Sequence, residues 1–455
     1  MLERLLFLKE RQMKILAPDV EQAVAASEDI FGRDLFGDGL LKVFDVSDDA
    51  LVVALDEPWG SGKTVFARRL ARRAREQKFK VVYFDAFKRD YDPDIFVSLA
   101  AEIIEETGTG PKEKRELKAR AKDVAKIVGR VALKGAIRGI TAGAIRASDF
   151  EEANEEIAEE VSKQIESELD KIIDSRLSNS KAEKKAFEAF RQKLSNLSLA
   201  DDNQKPLIFI VDELDRCSPI YALSVIEIIK HLFSVKNVHF LLVCQLDQLS
   251  AAVRKVYGSD INASLYLEKF IHFRVSFPQF EKRENDRLLK KFALSALKDM
   301  PDDDESGQLK NGFAQFISLV WEREQYSLRR IERLCTLFGL CLAFTNKNTI
   351  RYPAMIHILC DLKLSAPVLF YKAKNGNLSY QDVKRRYGFS DEPDRRDNKL
   401  DWYALNWRYF LSSNEELKGF DVSGFERSSF DFNVEREDVV RFLANNIVER
   451  FAFPT

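Results

Sequence analysis

Two short runs carry residue types that could do chemistry together. Trp59-Gly60-Ser61-Gly62-Lys63-Thr64 combines glycines, a lysine and a hydroxyl, and Asp212-Glu213 sets two carboxylates side by side. A glycine-rich loop that opens a helix aims backbone N–H groups at one point, where the positive end of the helix also favours an anion, so the first run reads as a phosphate cradle. In such a loop Lys63 reaches the β- and γ-phosphates of ATP and the Thr64 hydroxyl ligates Mg²⁺. Trp59, Gly60, Ser61 and Gly62, with Val65 just inside the helix, complete the nucleotide contacts. The loop departs from G-x-x-x-x-G-K-[ST] at its first position, where Glu57 stands. That carboxylate either repels nucleotide at the loop mouth or points outward while Pro58 stiffens the turn. The intact Gly60, Gly62, Lys63 and Thr64 favour the second reading.

The acidic pair ends the run Leu207-Ile208-Phe209-Ile210-Val211. A carboxylate at the end of a buried strand, next to the loop strand or one strand away, can hold Mg²⁺, and an adjacent Glu can orient and deprotonate water. Asp212 is therefore the magnesium residue and Glu213 the general base. Gln245, at the end of the following strand, stands where a polar side chain could touch the γ-phosphate or the lytic water. Arg216 either pairs with Asp215 or reaches across a subunit interface as an arginine finger.

Positioning these residues requires a parallel sheet. Leu51–Leu55, Lys80–Phe87, Leu207–Val211, Val238–Cys244 and Ile271–Phe277 are short apolar runs interleaved with helical stretches at Lys63–Gln77, Pro93–Glu106 and Ile220–Phe233. Uninterrupted apolar strands of this kind belong to a sheet covered on both faces, so the fold class is α/β, with about five parallel strands. The helix after the loop carries many arginines on the side expected to face solvent. From Pro278 to about Phe344 the pattern is all helical and reads as a lid; from Arg351 on it is mixed. The dense aromatics of Trp402–Phe410 read as core. The domain expectation is a core over 1–280 with a helical insertion at about 108–205, a lid over 281–350 and a C-terminal segment over 351–455.

At 455 residues, with 71 basic against 73 acidic side chains, the chain is large enough for two or three domains and has no global field to recruit nucleic acid. Five scattered cysteines and four histidines lack metal-ligand spacing. The cysteines read as buried thiols of a reducing, cytoplasmic compartment, and the first residues predict no secretory leader. Within the insertion, residues 149–191 are rich in Glu and Lys without Pro or Gly, as in exposed helices. Residues 127–145 are apolar except for Arg130, Lys134 and Arg138, which share one helix face. These charges argue against a membrane span. A packed or oligomer-interface helix, a helix on a membrane surface and a phosphate contact with nucleic acid stay open.

With these residues in view, the chain resembles the KAP family of P-loop NTPases. The resemblance is carried by WGSGKT at Trp59–Thr64, YFDAFKRD at Tyr83–Asp90, IVDELDRCSP at Ile210–Pro219 and YLEKFIHFRVSFP at Tyr266–Pro278, with SLRRIERL at Ser327–Leu334 similar to the helical-lid motif. It covers about Ile30 to Phe344. It implies an ATPase with the strand order of the catalytic-glutamate NTPases, a phosphate-sensing role for Arg329, and a lead-in at Phe31-Gly32-Arg33 that lies against the base. It also implies an association of bacterial relatives with phage exclusion. Departures are Glu57 for a usual Gly, Asp85 for a usual Asn and Gln245 for a usual Asp; the transmembrane helices that members often insert between the two motifs are not evident. Together these observations predict an ATP-driven switch acting on a second copy or a protein effector. The rival readings are a catalytically weak nucleotide-binding scaffold, a nucleic-acid motor and a nucleotide kinase.

Overall fold

The computed structural model describes residues 28–92, 94–106, 112, 114–125, 184–196, 205–298, 300, 307–344, 352–393, 399–418 and 434–450. The 127–145 stretch and most of the charged 149–191 stretch lie outside them. The described residues form two compact units, one over Arg33–Pro58 and Lys63–Phe277, the other over Pro278–Thr455 together with Met1–Gly32 and the loop residues Trp59–Gly62.

The first unit is built on a sheet of five parallel strands: β1 (Val52–Asp56), β2 (Lys80–Asp85), β3 (Leu207–Asp212), β4 (Val238–Cys244) and β5 (Phe273–Val275), in the order β2-β3-β4-β1-β5. All five strands expected from the apolar runs are present. β3 and β4 are buried at every position, because they lie inside the sheet with helices available to both faces. The acidic strand β3 is one strand removed from the loop strand β1, with β4 between them. Register places Asp85 opposite Asp212, Asp212 opposite Val243, and Asp56 opposite Cys244, so three strands end on carboxylates along one edge. In open parallel sheets that carboxyl edge is where ligands bind.

Before β1 runs α1 (Arg33–Val46), and after the loop runs α2 (Lys63–Glu76). Phe66, Ala67, Leu70, Ala71 and Ala74 recur at helical spacing and are buried. The arginines of α2 are not simply a solvent face. Arg69 is buried and grips Asp34 with Nε and Nη2 at 3.1 and 2.7 Å, while Arg73 grips Asp38 at 3.2 and 2.5 Å. Two planar forks on two carboxylates lock α1 to α2, a geometry that a run of arginines does not reveal by itself. The remaining helices of this unit are α3 (Ile95–Glu106), α4 (Pro219–Ile228), which continues as one broader π-helical turn over Ile229–Phe233, α5 (Leu246–Tyr257) and α6 (Ala263–Leu267), besides helical residues at 114–125 and 184–196.

The second unit is helical in its described residues: α7 (Lys282–Ala296), α8 (Gln308–Glu324), α9 (Leu328–Phe344), α10 (Pro353–Ser365), α11 (Pro367–Lys374), α12 (Tyr380–Tyr387), α13 (Lys399–Leu411) and α14 (Val439–Leu443). Most of the aromatic run Trp402–Phe410 is core, as expected: Tyr403, Trp407, Tyr409 and Phe410 are buried while Trp402 is exposed, and the Trp407 indole N–H donates to the Ala354 carbonyl at 3.1 Å. Side chains of that size contribute about 1.5–3 kcal/mol each on burial. Phe313 and Phe338 stack at 4.1 Å in the same core. Among the described residues no helix is long and apolar enough to cross a membrane.

Candidate nucleotide site

Gly60 and Gly62 have φ of +80° and +91°, the left-handed region in which a side chain is strained, so these two positions of the loop require glycine. Helix α2 then starts at Lys63, which is largely buried. The Lys63 ammonium donates to the Glu57 carbonyl, bridging the loop from its last residues to its first, and stands 3.8 Å from Asp215 Oδ2. One helical position on, Thr64 stands close enough to the Asp212 carboxylate to lower its pKa.

Asp212 is the hub of the edge. Only 2% exposed, it accepts from Tyr83 Oη at 2.5 Å and from the Glu213 backbone N–H at 2.8 Å. Its pKa is raised above the ordinary carboxylate value, foremost by burial, with the like charge of Asp85 adding and the hydrogen bonds opposing. Tyr83 is held strongly in its protonated form by burial and by Asp212, which keeps it a donor. Among the described residues no lysine or arginine forms an ion pair with Asp212.

Glu213 leaves the strand in a left-handed conformation, φ 59°, a strained choice for a glutamate that turns it out of the line of β3. Its carboxylate pairs with Arg216 Nη1 at 3.1 Å. Burial raises its pKa most, Arg216 opposes this, and Asp212, Asp85 and Asp215 add to it. The expected Arg216–Asp215 pair is therefore not formed: three residues of tight turn bring Arg216 back over Glu213 and send Asp215 inward. There Asp215 Oδ2 accepts from the Gln245 backbone N–H at 2.9 Å and faces Lys63. Asp215 is thus a member of the site that sequence reasoning gave only a structural role. Its signal was its position two residues past Glu213, on the same inward turn.

Other expected residues are less directly engaged. Gln245 caps α5 at the end of β4, between the acidic and loop strands, but it joins the cluster through its backbone, and its side chain makes no hydrogen bond within the described chain. Val65 is half-buried within α2. Arg33 lies 3.7 Å above the Phe277 ring and beside Glu57. Glu57 itself does not point outward: its Oε1 accepts from the Phe277 N–H at 2.6 Å, and burial raises its pKa while that bond, Arg33 and Lys63 lower it. The carboxylate is thereby tied to the end of β5. Asp56 is similarly occupied, accepting from Leu246 N–H at 2.7 Å and pairing with Arg274 at 2.6 Å.

In the other unit, the loop turn Trp59–Gly62 meets the start of α9. The Arg329 N–H donates to the Gly60 carbonyl at 3.2 Å, and a Cβ on Gly60 would come within 2.8 Å of Ser327 Oγ. Trp59 is half exposed, and Ser61 sits at partial burial between the two glycines. The Arg329 guanidinium lies near Glu332, whose pKa burial raises and Arg329 lowers.

Residues 33–343 match the KAP family P-loop domain. The chain belongs to that family. It is accordingly a nucleotide-binding P-loop NTPase domain, and the residues matched coincide with the span over which its motifs resemble the family. No curated protein matches the chain. Among solved structures it is similar to the Aeropyrum pernix ORC2 protein in its ADPNP-ADP complexes, at 13% identity and a TM-score of 0.34, over 92% of this chain and 94% of that one. In this KAP domain Thr64 and Asp212 offer the hard oxygen donors that suit Mg²⁺. Among the described residues no cluster of three His, Cys, Asp or Glu forms a self-sufficient metal site.

Proposed function

We propose that this KAP protein binds ATP with Mg²⁺ and hydrolyses it, using the cycle as a conformational switch. The observation that carries the reading is the approach of Lys63, at the start of the helix after the glycine loop, to within 3.8 Å of Asp215 on the edge where buried Asp212 ends β3 and Glu213 follows. Lys63 neutralises phosphate charge, Thr64 and Asp212 hold the metal, and Glu213 takes the proton of the attacking water. A bound Mg²⁺ would supply the cation that no described lysine or arginine gives Asp212, and would polarise the phosphoryl oxygens. Gln245, Arg329 and Arg33 are proposed to act on the γ-phosphate or its water, as phosphate sensor and against the base, respectively. The switch acts on a second copy or an effector protein, and defence against phage is the setting the family resemblance supports.

Steady-state ATPase of the wild type against Glu213→Gln tests the chemistry. Loss of the general base is expected to lower turnover by about 100-fold or more while nucleotide binding persists. A rival reading, a nucleotide-binding scaffold with little turnover, draws on Glu213 being ion-paired with Arg216. Equal, near-zero rates for the two proteins would favour that rival. Mass photometry with ATP, with ADP and without nucleotide then reads the switch: a distribution of masses unaffected by nucleotide counts against it.

A further inference from the structure

The C-terminal segment carries one buried polar cluster that packing alone does not require. Asp361, on α10, has no exposure to solvent. One carboxylate oxygen accepts from the Tyr326 hydroxyl and from Ser365 Oγ at 2.9 Å; the other accepts from the Tyr387 hydroxyl at 2.6 Å. A buried charge is tolerated only when its acceptor sites are filled, and three hydroxyls from three elements fill them here. Arg386 reaches Ser365 Oγ at 3.2 Å and pairs with Glu324 at the end of α8.

What makes the cluster more than a structural tie is the position of Tyr326. It stands immediately before Ser327-Leu328-Arg329, the residues that meet Gly60 of the phosphate loop. The turn is held on every side. Trp321 Nε1 donates to the Tyr326 carbonyl at 2.8 Å, and Gln325 adopts φ 49° to reverse the chain out of α8. Ser327 Oγ accepts from the Arg330 N–H at 3.3 Å, and Arg330 Nη1 donates to the Leu364 carbonyl of α10 at 2.5 Å. Two side-chain bonds to α10, from Tyr326 and Arg330, thus bracket the residues that touch the loop.

We propose that Asp361 is a positioning residue for nucleotide binding: through Tyr326 it sets the turn whose Arg329 N–H holds the Gly60 carbonyl, so that the C-terminal helices tune the conformation of the phosphate loop. This rests on the nucleotide-site reading above. It assigns a role to residues beyond 351, and it defines a route by which a partner bound to α10 or α12 would change nucleotide affinity.

The test is titration of the full chain with a fluorescent ATP analogue in Mg²⁺, comparing Tyr326→Phe with Tyr403→Phe. Tyr403 is equally buried in the same core and bonds His357 Nδ1 at 2.8 Å, but it does not touch the turn. Tyr326→Phe is expected to weaken binding by about tenfold and to speed amide exchange over 326–331. Tyr403→Phe is expected to leave both unchanged at a comparable loss of thermal stability. Equal affinities for wild type and Tyr326→Phe, or equal weakening by both variants, would overturn the proposal. Failure of the wild type to bind the analogue at all would instead overturn the nucleotide-site reading beneath it. Should Tyr326→Phe not fold, Arg330→Met tests the other bond to α10 with the same expected and overturning results.

Discussion

Asp212, at the end of β3, and Asp361, on α10, are both buried carboxylates bonded by tyrosine hydroxyls, and their surroundings differ in kind. Asp361 is closed: Tyr326, Tyr387 and Ser365 supply its hydrogen bonds within one helical core. Asp212 is also bonded, by Tyr83 and its neighbour's N–H, but Asp85 and Glu213 crowd it with like charge, and burial raises its pKa. Hydrogen bonds can satisfy the geometry of a carboxylate without balancing its charge. The first acid is tied into the fold by its bonds; the second has like charge beside it, as perturbed carboxylates at functional sites do.

Substitution by asparagine, which keeps the shape and removes the charge, should separate the two. The larger effect is expected at Asp361, where Asp361→Asn forfeits charge-assisted bonds and should cost about 2–3 kcal/mol of unfolding free energy. Denaturant titration measures it, and an unchanged midpoint would contradict the picture of a closed, stabilising acid. Asp212→Asn should move the other way, gaining about 1 kcal/mol in the absence of nucleotide and Mg²⁺ while losing their binding. The sign follows from linkage: with its folded pKa raised, an ionised Asp212 costs stability above that pKa, and the cost is relieved as pH falls through it towards the ordinary carboxylate value. The advantage of the variant should therefore shrink in acid. A variant less stable than wild type at neutral pH would break the comparison.

A smaller effect is expected around Glu213. Arg216 holds the Glu213 pKa down against burial, so Arg216→Ala should raise it and shift the acid limb of ATP hydrolysis to higher pH. Stability should change by no more than about 1 kcal/mol, because the pair is partly exposed. Turnover measured across pH would show the shift; a limb that stays in place would remove Glu213 from the role of base.

Much of the sheet unit was legible in the order of residues. Five apolar runs, with turns and helices between them, specify strands because only a doubly covered sheet buries residues on both faces. The helix that opens at Lys63 follows from the glycine loop before it. The placement of Glu213 beside Asp212 is adjacency in the chain, and the acidic strand lies one strand from the loop strand, within the range the sequence predicted. The aromatic run of α13 announced a core for the same reason: no other environment rewards that much apolar area.

Partner choice was decided elsewhere. Arg69 and Arg73 find Asp34 and Asp38 across 35 positions of chain, Tyr83 finds Asp212 across 129, and Glu57 finds Phe277 across 220. Apolar periodicity is local and reports which face is buried. A hydrogen bond depends on direction and distance to within fractions of an ångström, and those exist only once distant elements are packed. That is why the chain by itself specified a phosphate loop and an acidic strand, whereas the turn of Asp215 towards Lys63, the diversion of Glu57 to β5 and the clasp of Tyr326 by Asp361 belong to the tertiary structure.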